Sequence, residues 1–245
     1  MRKIHVVTQK ELVEEDKIKN NVAVVIDVFL ATSTIVMALE KGINGVTTVK
    51  DSFLGHSIYK KDIVNNLLMG EKEGELIDGM QYPDPNLLKS EENKYKSSLI
   101  LLTTNGTVAI ENSLAAKELY VSSLLNGHSI AKEINRNTNE ESIILVCAGN
   151  HGRFSLEDFI GAGQIIHHLM NSESGYQYSL SDSSKGALEI YQLAKKDQFN
   201  ILRSVETSKM LQSKGFYEAV NTVINNIEKV NIVSKLEGKN IIKKY

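Results

Sequence analysis

The order of short apolar runs and helical segments limits the fold of this chain more than any other feature of its sequence. Brief runs rich in β-branched residues occupy positions 4–7, 22–26, 46–49, 99–102, 119–121 and 143–146. Helical periodicity follows at 32–41, 53–68, 108–116, 129–134 and 156–170. Since the runs are apolar on both faces, they are typical of a parallel sheet covered by helices on both sides. The sequence therefore predicts an α/β fold, a three-layer αβα arrangement around a mixed, mostly parallel sheet.

The chain contains only two prolines, Pro83 and Pro85, and both lie in a polar stretch at 70–97. Proline and polar residues together mark a loop or a boundary. A long surface loop and a hinge between domains explain this stretch equally well. We therefore predict a single unit over 1–245, with one place near 70–97 where it could divide. The last 60 or so residues favour helices, followed by short β-like runs at 230–233 and 240–242.

Charge and cysteine content exclude several classes of protein. The 28 basic and 30 acidic residues give a net charge of -2, which offers no field for a nucleic acid. With Cys147 as the only cysteine, no internal disulfide can form. The longest apolar runs are too short to span a bilayer. We expect a soluble, cytoplasmic protein with neither a nucleic acid nor a membrane as partner.

The first polar strand end begins at Asp27, directly after the run at 22–26. A buried carboxylate is costly unless it meets a cation or several donors, and Mg²⁺ prefers carboxylate oxygens. Asp27 is therefore a candidate magnesium ligand, although it could also cap the next helix. Thr32, Ser33 and Thr34 are candidate N-caps. One cap needs only one of them, so Thr32 and Ser33 are candidates for binding an anion.

The second polar strand end is Thr103-Thr104-Asn105-Gly106-Thr107. Glycine permits close backbone approach, and a following helix would point free N–H groups at this loop. That arrangement suits a phosphate. An Asn-Gly turn with a threonine N-cap explains the same residues, and the sequence alone does not decide between the two.

The third polar strand end, 147–158, carries two adjacent carboxylates. Ser155 and Asp158 have the spacing of a capping box, which gives Asp158 a structural role. Glu157 has no such role, so these two residues could share work on a metal ion. His151 is a candidate general acid, although a single histidine in a loop is more often only solvated.

The same loop allows a second mechanism. Cys147 and Arg153 have the C-x5-R spacing of thiol phosphatases, in which a cysteine thiolate attacks phosphorus and an arginine binds the oxygens. A helix N-terminus would lower the pKa of the thiol, as that mechanism requires. However, Phe154 stands where those enzymes place serine or threonine. This alternative stays open.

Taken together, the three strand ends resemble those of the 2-phosphosulfolactate phosphatase family, in order from about residue 3 to 165. The resemblance rests on Asp27-Val28, Ala31-Thr32-Ser33-Thr34, Thr103 to Thr107, Cys147-Ala148-Gly149, Gly152 and Phe154 to Asp158. It implies a Mg²⁺-dependent phosphoric monoester hydrolase that converts 2-phosphosulfolactate to 3-sulfolactate and phosphate. It also implies an αβα fold and a homodimer; in archaea the family's pathway leads towards coenzyme M.

This resemblance gives the candidate site residues their roles. We expect Asp27 and Glu71, with Glu157 or Asp158, to hold Mg²⁺ and act in catalysis. The candidate ligands of the small anionic substrate are Thr32, Ser33, Thr104, Asn105, Gly106, Thr107 and Arg153. The family commonly has arginines where this chain has Leu30 and Lys72, and neither replaces the bidentate fork of arginine. A relative with another small acidic phosphomonoester as substrate, or one that only binds an anion, is therefore an alternative.

Overall fold

The computed structural model describes residues 1–136, 141–172 and 176–244. The strands in these ranges are β1 Arg2–Val7, β2 Val22–Ile26, β3 Gly45–Thr48, β4 Asn66–Lys72, β5 Glu75–Leu76, β6 Ser98–Leu102, β7 Glu118–Ser122, β8 Ile143–Cys147, β9 Tyr178–Leu180, β10 Val233–Glu237 and β11 Asn240–Lys244. The helices there are α1 Glu15–Ile18, α2 Ala31–Glu40, α3 Ser52–Tyr59, α4 Gly106–Asn112, α5 Gly127–Arg136, α6 Leu156–Met170, α7 Asp182–Lys196, α8 Glu206–Ser213 and α9 Tyr217–Asn225.

The strands form one mixed sheet in the order β5-β4-β6-β3-β11-β10-β7-β2-β8-β1-β9. It contains two parallel groups, β4-β6-β3 and β7-β2-β8-β1-β9. The antiparallel hairpin β10–β11 lies between them and pairs with β7 and β3. Helices cover the sheet, and the predicted three-layer α/β fold is confirmed.

The burial of β2 shows why these residues form the centre of the sheet. All five of its side chains are buried, and it pairs with β7 on one side and β8 on the other. An alternating strand would have left one face in water, whereas Val-Ala-Val-Val-Ile fills the core on both faces. Asp27 therefore emerges from the middle of the core.

The helix predicted at 53–68 is confirmed over its first part and is wrong beyond it. Helix α3 ends at Tyr59, and Asn66–Lys72 is strand β4, which pairs in parallel with β6. Leu67, Leu68 and Met69 form a short apolar run, and such a run fits a buried helix or a buried strand equally well until its neighbours are known. Strand β9 was not predicted, and β10 begins at Val233, later than the predicted run at 230–233.

The stretch at 70–97 contains the end of β4, strand β5 and a short 3-10 turn at Leu87–Lys89. The strands before and after it, β4 and β6, pair directly with each other. Division of the chain at this place stays a prediction. Within the described ranges, no helix is both long and apolar enough to cross a membrane.

The two parallel groups converge at their carboxyl ends. In sheet order β2 and β6 are five strands apart, which is about 24 Å in a flat sheet. Yet a Cβ placed on Gly106, just after β6, would lie 2.6 Å from Asp27 Oδ2, just after β2. The loop that follows β6 covers part of this distance, and departure of the sheet from a flat plane accounts for the rest, so that α4 lies against β2 and α2. Distant strand ends are thereby brought into one site.

Candidate active site

Asp27 lies at the centre of the site. Its side chain is buried, and the Ala31 amide donates a hydrogen bond to its carboxylate. Burial, with a further contribution from the charges of Glu71 and Glu157, raises the pKa of Asp27 to about 7, while the Ala31 amide and Lys10 oppose the shift. Three carboxylates therefore share one poorly solvated region, in which added positive charge would be stabilising.

Glu71 reaches the site from the end of β4. Its carboxylate accepts hydrogen bonds from the Thr104 amide at 2.6 Å, the Thr104 hydroxyl at 3.1 Å and the Gly74 amide at 2.7 Å. The Thr104 hydroxyl also accepts from the Glu73 amide at 2.6 Å. The structure thus places Thr104 as a support for Glu71, and this use occupies the hydroxyl that the sequence assigned to the substrate.

Glu157 and Asp158 start helix α6, and both are buried. Asp158 accepts hydrogen bonds from the Val28 amide at 2.8 Å and the Gly149 amide at 3.1 Å, so it ties two strand ends together. Its own amide donates to Ser155 Oγ at 3.3 Å, as the capping box predicts. Burial and the charges of Asp27 and Glu157 raise the pKa of Asp158. Its carboxylate therefore has a structural role, and Asp158 is not among the described residues that line the pocket.

Glu157 faces a different environment. Burial raises the pKa of Glu157, and hydrogen bonding with Thr207 and Ser155 opposes that shift. Thr207 also lines the pocket in front of Asp27. Glu157 therefore lies behind the pocket wall and holds a proton more readily than an exposed glutamate does.

The loop at Asn105 is held by a lysine that the sequence analysis missed. Lys10 follows β1 and is only 5% exposed. Its Nζ donates to Asn105 Oδ1 at 2.9 Å, and the His151 amide donates to the same oxygen at 3.3 Å. Asn105 lines the pocket together with Asp27 and Glu71. No motif marks Lys10; its only signal is its position just beyond a strand end.

Three hydroxyls that were predicted to bind phosphate instead donate hydrogen bonds to backbone carbonyls. Thr32 Oγ1 donates to the Asp27 carbonyl at 2.6 Å, and Ser33 Oγ donates to the Val28 carbonyl at 2.8 Å. Thr107 Oγ1 donates to the Thr103 carbonyl at 2.7 Å. All three residues are buried. They shape the loops that carry Asp27 and Asn105, and the structure does not bring their hydroxyls to the pocket.

Gly106 serves the site through its lack of a side chain. A Cβ there would lie 2.4 Å from the Ala31 Cβ and 2.6 Å from Asp27 Oδ2, closer than any side chain tolerates. The glycine therefore allows α4 to start directly against Asp27.

Arg153 and His151 lie on the exposed side of the third strand end. Arg153 is 67% exposed and makes a 3.7 Å ion pair with Glu206, so the structure does not place its guanidinium among the buried acids. His151 has a positive φ of 50° and an exposed side chain, yet it lines the mouth of the pocket. His151 thus lines the pocket, and Arg153 does not.

The burial of Cys147 argues against the thiol mechanism. Cys147 is the last residue of β8 and is fully buried. Burial raises the pKa of the Cys147 thiol, and the charges of Asp158 and Glu157 raise it further. A nucleophilic cysteine needs access and a lowered pKa, so the proposal of a Cys147 nucleophile paired with Arg153 is wrong.

The pocket in front of Asp27 has one acidic and one apolar side. Asp27, Glu71 and Asn105 form the polar side. The apolar side consists of Phe29, Leu30, Tyr82, Pro83, Met210 and Leu211. Tyr82 stacks on Phe216 with ring centroids 4.0 Å apart, which fixes this wall. No lysine or arginine is among the described residues that line the pocket.

The pocket residues suit Mg²⁺, which takes some of its ligands from water and substrate, better than an ion whose ligands all come from the protein. In the described part of the chain, no three His, Cys, Asp or Glu side chains converge into a ready-made metal centre. Mg²⁺ commonly uses only one or two carboxylates together with waters and substrate phosphate oxygens. Asp27 and Glu71 supply such a pair at the pocket, where burial and the charges of neighbouring carboxylates raise the pKa of Asp27.

Comparison with known proteins identifies the family. The model of the 2-phosphosulpholactate phosphatase family matches residues 7–239. A protein of Clostridium beijerinckii named probable 2-phosphosulfolactate phosphatase is 32% identical over 206 residues, 83% of this chain and 82% of the relative. A protein of the same name from Clostridium acetobutylicum is 34% identical over 192 residues, 77% and 79% of the two chains. The chain therefore belongs to the 2-phosphosulpholactate phosphatase family, a family of phosphatase enzymes.

Proposed function

We propose that this protein is a Mg²⁺-dependent phosphatase that hydrolyses 2-phosphosulfolactate to 3-sulfolactate and phosphate. The names of its relatives support the substrate. The observation that carries the proposal is the buried carboxylate of Asp27, whose pKa is raised to about 7 beside Glu71 and Glu157. Such a cluster is costly unless it takes up a proton or meets added positive charge, which a metal ion brings.

Asp27 and Glu71 are the residues that would hold the ion. When bound, Mg²⁺ neutralises charge on the phosphoryl oxygens and on the leaving oxygen. The chain fixes these ligands well: three donors hold Glu71, and the Ala31 amide holds Asp27. Fixed ligands need no rearrangement during the reaction, which is the main source of electrostatic catalysis.

The remaining residues bind the substrate and move protons. The Asn105 carboxamide would donate to a phosphate oxygen, and its position in the lining of the pocket supports this role. Hydrolysis adds one water, breaks the phosphorus–oxygen ester bond and leaves a proton on the sulfolactate oxygen. His151, the candidate general acid that lines the pocket, is the group that can exchange that proton. Attack by water and attack by a carboxylate both fit this arrangement.

Phosphate release with and without metal tests the proposal. Purified protein should release phosphate from 2-phosphosulfolactate in Mg²⁺ and lose this activity in EDTA, with recovery when Mg²⁺ is restored. Asp27→Asn should abolish release, whereas the matched control Cys147→Ser, in the same buried region, should retain it. Turnover that survives EDTA, or a fully active Asp27→Asn variant, would contradict the proposal.

A second candidate function follows from the apolar wall of the pocket. A substrate with phosphate, sulfonate and carboxylate groups calls for several cations, and no described lysine or arginine lines this pocket. The same chemistry would then act on another small acidic phosphomonoester. A panel of phosphomonoesters compared by kcat/KM separates the two candidates, and sulfolactate binding without any turnover would instead indicate a protein that only binds an anion.

The family resemblance also suggests a homodimer that works in the cytoplasm. Light scattering on purified protein would measure the first property: a mass near 54 kDa supports the dimer, since one chain has a mass of 27.2 kDa.

A further inference from the structure

Lys10 is a buried lysine whose ammonium group is turned towards the site. Lysine is almost never fully buried unless it is paired. Here Nζ lies 2.9 Å from Asn105 Oδ1, 2.8 Å from Glu11 Oε1 and 3.4 Å from the Ala148 carbonyl. These three contacts use the three N–H donors of an ammonium group, and Lys10 is not among the residues that line the pocket. The lysine therefore cannot be assigned to direct contact with a ligand.

The side-chain oxygen of Asn105 accepts two hydrogen bonds. Its Oδ1 accepts from Lys10 Nζ and from the His151 amide. A carboxamide has one oxygen, which accepts, and one NH₂ group, which donates. Since two donors fix the oxygen, the side chain cannot turn over without leaving both of them unpaired. Among the described residues, Asn105 Nδ2 donates no hydrogen bond, and Asn105 lines the pocket. Its NH₂ group is thus held ready for an acceptor in the pocket.

We propose that Lys10 is a positioning residue that locks the Asn105 carboxamide with its NH₂ group towards the substrate phosphate. This inference rests on the phosphate-binding role of Asn105 in the proposed function. Lys10 acts through its hydrogen bond to Asn105, and the ammonium group itself does not contact the phosphate.

A double-mutant cycle on phosphate affinity tests this coupling. Binding of inorganic phosphate in Mg²⁺ is measured by calorimetry for the wild type, Lys10→Met, Asn105→Ala and the double variant. A charge-assisted hydrogen bond contributes about 1.5–3 kcal/mol, so Asn105→Ala should weaken binding by about 10- to 100-fold. Lys10→Met should weaken it by about 10-fold. The double variant should bind no more weakly than Asn105→Ala alone, because both changes remove the same contact.

Three outcomes would overturn the inference. Lys10→Met could bind phosphate like the wild type, Asn105→Ala could bind like the wild type, or the double variant could lose the product of the two single effects. The last result would mean that Lys10 acts on phosphate independently of Asn105.

Lys235→Met is the matched control. Lys235 is also largely buried, pairs with Glu118 at 2.9 Å and lies over the Tyr120 ring, away from the strand ends. The Lys235→Met variant should have a lower melting temperature than the wild type and the same phosphate affinity. If it weakens phosphate binding as much as Lys10→Met does, loss of any buried lysine explains the effect and the coupling to Asn105 is wrong.

A measurement on the wild-type chain keeps the test independent of the folding of Lys10→Met. The side-chain ¹⁵N amide signal of Asn105, assigned by its loss in Asn105→Ala, should shift on titration with phosphate. An unshifted signal at saturating phosphate would contradict the inference. These binding readouts need no turnover, so coupled phosphate binding with no hydrolysis of 2-phosphosulfolactate would refute the proposed function and retain the positioning role.

Discussion

At the scale of single residues, burial of Asp27 lowers the stability of the fold, and the same residue is the proposed metal ligand. Its carboxylate is buried beside Glu71 and Glu157, and one lysine offsets their charge only in part. A folded protein tolerates such a group when function requires it, and stability is lost in exchange.

The pH dependence of stability should show this cost. The pKa of Asp27 rises from 3.8 to about 7 on folding, so the folded chain retains a proton that the unfolded chain releases between these values. Stability is therefore lost as the pH rises from about 4 to 7, by at most about 4 kcal/mol. In metal-free buffer, Asp27→Asn should melt above the wild type at pH 8 and at the same temperature near pH 4. Thermal unfolding at both pH values measures this.

Adding Mg²⁺ supplies the control for that experiment. The ion should raise the melting temperature of the wild type at pH 8, because it binds only the folded chain, and should leave Asp27→Asn unchanged. A wild type more stable than Asp27→Asn in metal-free buffer at pH 8 would contradict the assigned cost.

Gly106 gives a second prediction at this scale. In Gly106→Ala, the new Cβ would meet the Ala31 Cβ at 2.4 Å and Asp27 Oδ2 at 2.6 Å, so α4 or Asp27 must move. We expect a loss of at least about 100-fold in kcat/KM, because a displacement of about 1 Å has that effect on a positioned site. Gly186→Ala is the control for kinetics, since a Cβ there would lie 3.6 Å from the nearest atom, in the Phe159 ring, which is an ordinary contact. Equal kcat/KM values for the two variants would refute the close-approach argument.

At the scale of secondary-structure elements, the hairpin β10–β11 connects the two parallel groups of the sheet. Ile241 pairs with Val46 of β3 and is 1% exposed. Lys235 pairs with Tyr120 of β7 on the other side. The position of both groups, and with it the meeting of Gly106 and Asp27, depends on this hairpin.

Removing the core contact of the hairpin should therefore affect both stability and activity. We expect Ile241→Ala to lower the free energy of unfolding by about 2–5 kcal/mol, the usual cost of such a cavity. Denaturant unfolding measures this, with the exposed residue of the same hairpin, Lys239→Ala, as control. A loss below 0.5 kcal/mol would mean that the hairpin is not part of the cooperative core.

At the scale of the whole molecule, Glu228 links the C-terminal segment to the helical layer. It lies between α9 and β10, and its Oε1 accepts from Tyr191 of α7 at 2.7 Å and contacts His168 Nε2 of α6 at 2.8 Å. The hydrogen bond with His168 lowers the pKa of Glu228 from 4.5 to about 2, against the effect of burial. The charged carboxylate is therefore favoured by folding.

This link should weaken in acid. A lowered pKa gives stability that is complete above about pH 4.5 and is lost as the pH falls to about 2. Glu228→Gln should lower the free energy of unfolding at pH 6 by about 1–2 kcal/mol after solvent screening, and the difference from the wild type should shrink below pH 4. Denaturant unfolding at several pH values, with the exposed Glu237→Gln as control, measures it; a difference that is the same at pH 2.5 and 6 would contradict the assignment.

The sequence by itself determined the fold class and the polar strand ends. Short β-branched runs that are apolar on both faces favour strands inside a covered sheet, and a capping box marks a helix start. The strand preceding Asp27 and the helix starting after Ser155 were therefore predictable from local patterns. The family was recognisable for the same reason, because its motifs are contiguous residues that follow these strands.

Only the tertiary structure decided which side chains meet. Glu71 reaches the site because 66–72 is a strand paired with β6, a choice that depends on a partner distant in the sequence. The use of Lys10 as a buried partner of Asn105 depends on the distance between two loops. Thr32, Ser33 and Thr107 instead donate to carbonyls four or five residues earlier in the chain, and only the conformation of each loop shows that these hydroxyls point inwards. Two strands five positions apart in the sheet carry Asp27 and Gly106 into contact, and no local pattern encodes that approach.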